Sequence, residues 1–156
     1  MRSSYRLVRL IQSHADILAA SLEKKVQRSG QFLHFRDVPA HDLRERVYEI
    51  YRHLGEWLLS KSDQEIEQRY REIGSRRAQQ RVPLSELVRA IVLTKENLWE
   101  FLQGEARTNP ATDVKGELEL LQMLEVFFDQ AIFYATMEYA AEIARVAPET
   151  GALQAA

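Results

Sequence analysis

Glu72-Ile73-Gly74-Ser75-Arg76-Arg77-Ala78-Gln79-Gln80-Arg81-Val82-Pro83-Leu84-Ser85-Glu86-Leu87-Val88-Arg89-Ala90-Ile91 is the stretch whose reading decides the fold. A polar, arginine-rich helix end runs into Val82-Pro83, and a strongly patterned segment starts at once. Proline lacks a backbone N–H and has a fixed φ, so it stops the first helix and suits the first turn of the next. The second segment predicts a helix over 84–102, with Leu84, Leu87, Val88, Ile91, Leu98, Trp99 and Leu102 on its apolar face. Lys95 falls in a gap of that face. A buried lysine must pair or lose its charge, so Lys95 either meets a carboxylate of a neighbouring helix or contacts a ligand.

Upstream, Ser62-Asp63-Gln64-Glu65 has the form of a capping box and predicts a helix over 63–80. Its face is Ile66, Tyr70 and Ile73, continued by Arg77 at the same spacing. A cation in an apolar stripe reads two ways. Its stem packs while its head reaches water, or its head meets a ligand or anion at a pocket mouth. Two more amphipathic helices precede it. One spans 41–60, with Leu43, Val47, Ile50, Tyr51, Leu54, Trp57 and Leu58. The other spans 4–28, with Val8, Ile11, Ala15, Leu18, Leu22 and Val26 on one face and His14 at its edge, ending at Gly30. Between these two, the 31–40 loop carries Phe32, Leu33 and Phe35, read as a lid tucked on the core or a ligand gate.

Downstream, Gly104 to Pro110 reads as a polar loop. A last helix then runs from Thr112 or Asp113 to about Ala147, where Pro148 and Gly151 stop it; residues 149–156 read as a flexible tail. At 1.5 Å per residue this helix is roughly 50 Å long, more than a compact domain of this size spans. It is apolar on two sides. One face has Val114, Leu118, Leu121, Phe128, Ile132, Ala135, Tyr139, Ile143 and Val146. The other has Leu120, Leu124, Phe127, Ala131, Tyr134 and Ala141. A helix apolar on most sides is covered on most sides. The monomer core covers one face, so the second predicts a symmetric dimer through the last two helices, with Leu120, Leu124, Phe127, Ala131 and Tyr134 at the interface.

The expected architecture is all-α, a bundle of about five helices with a long C-terminal one, forming one domain over 1–148. Its 156 residues are 46% hydrophobic and 28% charged, ordinary for a globular domain. A formal net charge of -2 argues against a broad nucleic-acid surface. A helix-turn-helix is also disfavoured, since Arg76, Arg77 and Arg81 lead into a helix whose only cations in the quoted pattern are Arg89 and Lys95. There is no cysteine, hence no disulfide and no thiolate chemistry. The basic N-terminus lacks an apolar signal-peptide core, and no apolar run is long enough to span a membrane; the expectation is a cytoplasmic protein. His14, His34, His41 and His53 lack the i, i+4 spacing of a helical metal pair. There is no phosphate loop and no nucleophile elbow. The expectation is no metal, no catalytic residue and no enzyme activity.

Tyr70-Arg71-Glu72-Ile73-Gly74-Ser75-Arg76-Arg77, with the turn and helix after it, resembles the sensor-globin family, in which an Ile-Gly-x-x-His stretch supplies the histidine that binds heme iron. Here the matching position is Arg77, and a guanidinium cannot act as a neutral nitrogen ligand. Leu84-Ser85-Glu86-Leu87-Val88-Arg89-Ala90-Ile91-Val92-Leu93-Thr94-Lys95-Glu96-Asn97-Leu98-Trp99 resembles the N-terminal regulatory domains of RsbR-type bacterial proteins. These are similar to a globin that has lost heme, and they sit ahead of STAS, kinase or transcription-factor modules. The resemblance implies a globin-like, non-enzymatic sensor domain in bacterial signal transduction, without cofactor. It implies dimerisation through the last two helices and partnership with a signalling protein or downstream effector domain. Candidate ligand contacts are Tyr70, Ile73, Arg77, Ile91, Lys95 and Trp99. The alternatives are a heme-binding gas sensor, with His53 as a distal-side ligand, and a plain protein-interaction adaptor.

Overall fold

The structure is a computed structural model that describes residues 2–34, 40–60, 63–108 and 114–155; within its helices the side chains at 2–7, 40, 43, 46, 53, 55–60, 106–108, 114–117, 120 and 147–155 are outside the description. Phe35, Ser62 and the Thr112-Asp113 helix start therefore lie outside the described residues, as do the side chains of Leu43, His53, Trp57, Leu58, Val114 and Leu120. The described chain is all-helical, in the order α1 Arg2–Ser13, α2 Ala15–Arg28, α3 Ala40–Ser60, α4 Asp63–Gln79, α5 Leu84–Thr108 and α6 Val114–Ala155. No described helix is long and apolar enough to cross a membrane.

Six helices replace the expected five because the first breaks at His14. The Leu10 carbonyl accepts hydrogen bonds from the His14 N–H (3.1 Å) and the Ser13 hydroxyl (3.0 Å), and lies 2.9 Å from His14 Nδ1. Side chains that bond a nearby carbonyl compete with the helix ladder and bend it. Two other boundaries move. α5 passes through Gly104 to Thr108, and α6 passes through Pro148 and Gly151 to Ala155. A proline inside a helix costs one backbone bond and strains the preceding turn, but its φ remains helical, so it does not oblige the chain to stop.

The α4–α5 turn is built as the Val82-Pro83 junction predicts. The Val82 N–H donates to the Arg77 carbonyl and the Arg81 N–H to the Ala78 carbonyl, each at 3.0 Å. This is a Schellman closure with Arg81 in the left-handed region, φ 61°. Val82 turns inward and is fully buried. Leu87 and Glu86 N–H groups both reach the Pro83 carbonyl, so α5 starts immediately.

The core joins α1 to α6 around Tyr51, Leu54, Tyr70, Leu98, Leu124 and Phe127. Its tightest seam is between α4 and α6. A Cβ placed on Gly74 would collide with the Ala135 backbone carbonyl. Ala78, Ala131 and Ala135 are small and buried too, which lets the two helix backbones approach. Tyr70 and Phe127 meet edge to face at 5.8 Å beside it. A second, smaller cluster of Val26, Phe32 and Val82 closes the loop after α2. Phe32 is therefore a core plug, while Leu33 is exposed. Glu86 pins this loop by accepting from the His34 N–H at 3.2 Å.

Candidate ligand cavity and exposed helix face

A cavity of about 60 Å3 lies between α2, α3, α4 and α5. From α4 come Tyr70, Ile73 and Arg77, and from α5 Ile91 and Thr94. Leu22 and Val26 of α2 and Val47 and Ile50 of α3 close the other sides. Small residues at Ala19 and Ala90, among larger neighbours, leave the space unfilled. Glu23 is half-buried and Arg44 exposed, so these two lining residues mark the mouth.

Arg77 is 4% exposed, a cation held almost wholly inside the protein. Its guanidinium donates to Gln80 Oε1 at 2.6 Å and pairs with Asp42 at 3.9 Å. Tyr70 is 2% exposed. Burial pushes its phenol above the usual tyrosine range, as it does for Tyr51. The two differ in hydrogen bonding. The Tyr51 hydroxyl donates to the Thr94 carbonyl at 2.9 Å and accepts from Asn97 Nδ2 at 3.2 Å. The Tyr70 hydroxyl has no such partner among the described residues, yet every fully enclosed polar side-chain atom there has one. Tyr70 is one of the residues that line the cavity.

Beside the cavity, Asn97 ties three helices. Its Nδ2 donates to the Leu18 carbonyl at 3.1 Å, and its Oδ1 accepts from Ser21 at 3.0 Å and Lys25 at 2.7 Å. Lys25 continues to Glu100 at 2.6 Å. The apolar pattern of α5 hid this residue. The signal that could have shown it was an asparagine on the buried side of an otherwise apolar helix.

Of the six residues expected at a pocket, Tyr70, Ile73, Arg77 and Ile91 come together at this cavity. Lys95 does not: it meets Glu125 of α6 at 3.4 Å. Trp99 is half-buried and is not among the lining residues. The contribution of α2 to the lining was not legible, because which turn of which helix faces a gap is a matter of packing.

Of the five residues expected at a dimer interface, Leu120 has its side chain outside the description and the other four are placed differently. Leu124, Phe127 and Ala131 are buried in the monomer's own core, and Tyr134 packs against that core. A second copy cannot reach the first three without unpacking the bundle. The side of α6 that faces solvent instead carries Val126 and Phe133, 56% and 59% exposed, while Leu118, Ile143 and Val146 are exposed toward the two ends of the helix. Val126, Phe133 and exposed Ala140 follow at seven-residue steps. On α6 Glu138 lies between Arg71 of α4, at 3.2 Å, and Arg145. Its hydrogen bond from Arg145, aided by Arg71, holds its carboxyl below the usual range.

No curated protein and no solved structure matches the chain. A family comparison does, and it covers residues 15–154, the helices that build the cavity and almost all of α6. The chain thus belongs to the family described as the RsbT co-antagonist protein rsbRD N-terminal domain, a family of regulatory signalling domains that act with partner proteins.

Proposed function

We propose that this regulatory domain receives its signal as a small ligand in the α2–α5 cavity and works as a dimer through the solvent-facing side of α6. The observation that carries the reading is the exposed apolar row of Val126, Phe133 and Ala140 on α6. Large apolar side chains held out in a row along a helix suit an interaction surface. Seven-residue spacing suits a second helix of the same kind laid alongside it. At 42 residues α6 is about 63 Å long, enough to offer this stripe along a whole helix pair. A ligand that shifts α4 or α5 would change the seating of α6 and so the crossing of the paired helices.

The reading is heme-free and non-enzymatic. The cavity presents Arg77 where a sensor globin presents histidine, and a permanently protonated guanidinium has no lone pair for iron. Sedimentation at tens of micromolar tests the dimer. The expected result is a dimer for the native chain and a monomer with unchanged helix content for Phe133→Glu. A native monomer overturns the pairing, and an exposed stripe that binds only a different protein makes the domain an adaptor.

A further inference from the structure

We propose that the α2–α5 cavity takes a small uncharged apolar molecule, of the size of a short hydrocarbon and held by apolar contact. This deepens, and rests on, the reading of the cavity as the input site. Aliphatic side chains from all four helices line it: Leu22 of α2, Val47 and Ile50 of α3, Ile73 of α4, and Leu87 and Ile91 of α5. The charged and polar groups of the lining are committed elsewhere or balanced. Arg77 is engaged by Gln80 at 2.6 Å, by Asp42 at 3.9 Å and by further interactions within the chain. The Thr94 hydroxyl donates to the Ala90 carbonyl at 2.7 Å, and the Thr94 carbonyl accepts from Tyr51 at 2.9 Å. The Tyr70 phenol stays neutral, because burial holds its pKa above the usual range. At the mouth, Glu23 and Arg44 carry one charge of each sign and so select for neither.

An ion entering such a site loses its water and must take partners from bonds the protein already makes, which costs more than it returns. An apolar molecule asks for no partner. It leaves water favourably and restores the contacts that the lining residues lack across the unfilled space. Size sets the upper bound. At on the order of 10–15 Å3 per water-sized sphere, 60 Å3 holds roughly four to six non-hydrogen atoms. A short alkane or a small carbon ring fills that space. A long acyl chain or a fused ring system exceeds it.

Methyl NMR of the native chain titrated with cyclopropane, cyclopentane and cyclooctane tests this, with sodium butyrate and butylammonium chloride as charged probes. Cyclopentane is expected to shift the methyl signals of Leu22, Ile50, Ile73 and Ile91 saturably and to leave those of exposed Leu33 and Val126 in place. Affinity should rise about fourfold with each methylene from cyclopropane to cyclopentane, and cyclooctane should not bind. Ile73→Ala, which opens the lining, should let cyclooctane in. A folded variant that still refuses it would mean that the ring binds elsewhere, against the proposal. Should the variant fail to fold, the ring-size series in the native chain decides alone. Butyrate or butylammonium shifting the same methyls at lower concentration than cyclopentane overturns the uncharged class while leaving the cavity a ligand site. Cyclooctane binding the native chain as tightly as cyclopentane overturns the size assignment. No probe of either kind moving these methyls overturns the apolar class and the input-site reading together.

Discussion

Two neighbouring surfaces of α4 are built to opposite rules. One side closes on α6 at Gly74, where the backbones approach so nearly that no side chain fits between them. Next to it Tyr70, Ile73 and Arg77 line a cavity that α4 shares with α2, α3 and α5. A seam of small residues gains dispersion energy from many close contacts and tolerates no added atom. A cavity forfeits such contacts along its lining. The helix thus has a tight seam with α6 and, beside it, an unfilled space.

The largest way to break this contrast is Gly74→Ala. In an isolated helix the change is worth roughly 1 kcal/mol in favour of alanine. Here the new methyl meets the Ala135 carbonyl, which belongs to backbone and cannot swing aside. A net loss of about 2–3 kcal/mol in urea unfolding is expected. Stability equal to or above the native chain would mean that the seam has slack.

The buried tyrosines sharpen the contrast at a smaller scale. Tyr51→Phe removes two hydrogen bonds from a sealed network and should cost about 1–2 kcal/mol. Tyr70→Phe removes a hydroxyl that bonds no described residue, and should change stability by less than about 0.5 kcal/mol. Equal losses in the two variants would place the Tyr70 hydroxyl in a bond and close that side of the argument.

The smallest effect concerns acid. Glu138 links α4 to α6 through Arg71 and has its folded pKa held below the ordinary value. Its contribution is complete above the ordinary glutamate range, about 4.3, and is lost as pH falls through the folded value, because the unfolded chain takes up the proton first. The urea midpoints of the native chain and Glu138→Gln should differ at neutral pH and converge in acid. A difference independent of pH would assign the seam's strength to packing alone.

Much of this molecule could be read from the chain. The 3.6-residue spacing of Ile66, Tyr70, Ile73 and Arg77, and the Val82-Pro83 junction, located α4, the turn and α5, since periodicity and proline geometry act locally. Four of the six expected pocket residues lie at one cavity for the same reason: they share faces of two adjacent helices. Lys95 went elsewhere because a gap in a stripe says that a side chain leaves the core, not toward which helix it turns. The break at His14 lies where the side chains of Ser13 and His14 crowd onto a carbonyl that also keeps its ladder bond, which periodicity does not register.

By itself the sequence determined the helical class, the order of the helices and the family, because apolar spacing and turn chemistry are properties of short segments. Only the tertiary structure decided which side of α6 is core and which is free. Both sides are apolar, so hydrophobicity could not choose between them. Close packing against Gly74, Ala78 and their neighbours drew Leu124, Phe127 and Ala131 inward and left Val126 and Phe133 to solvent.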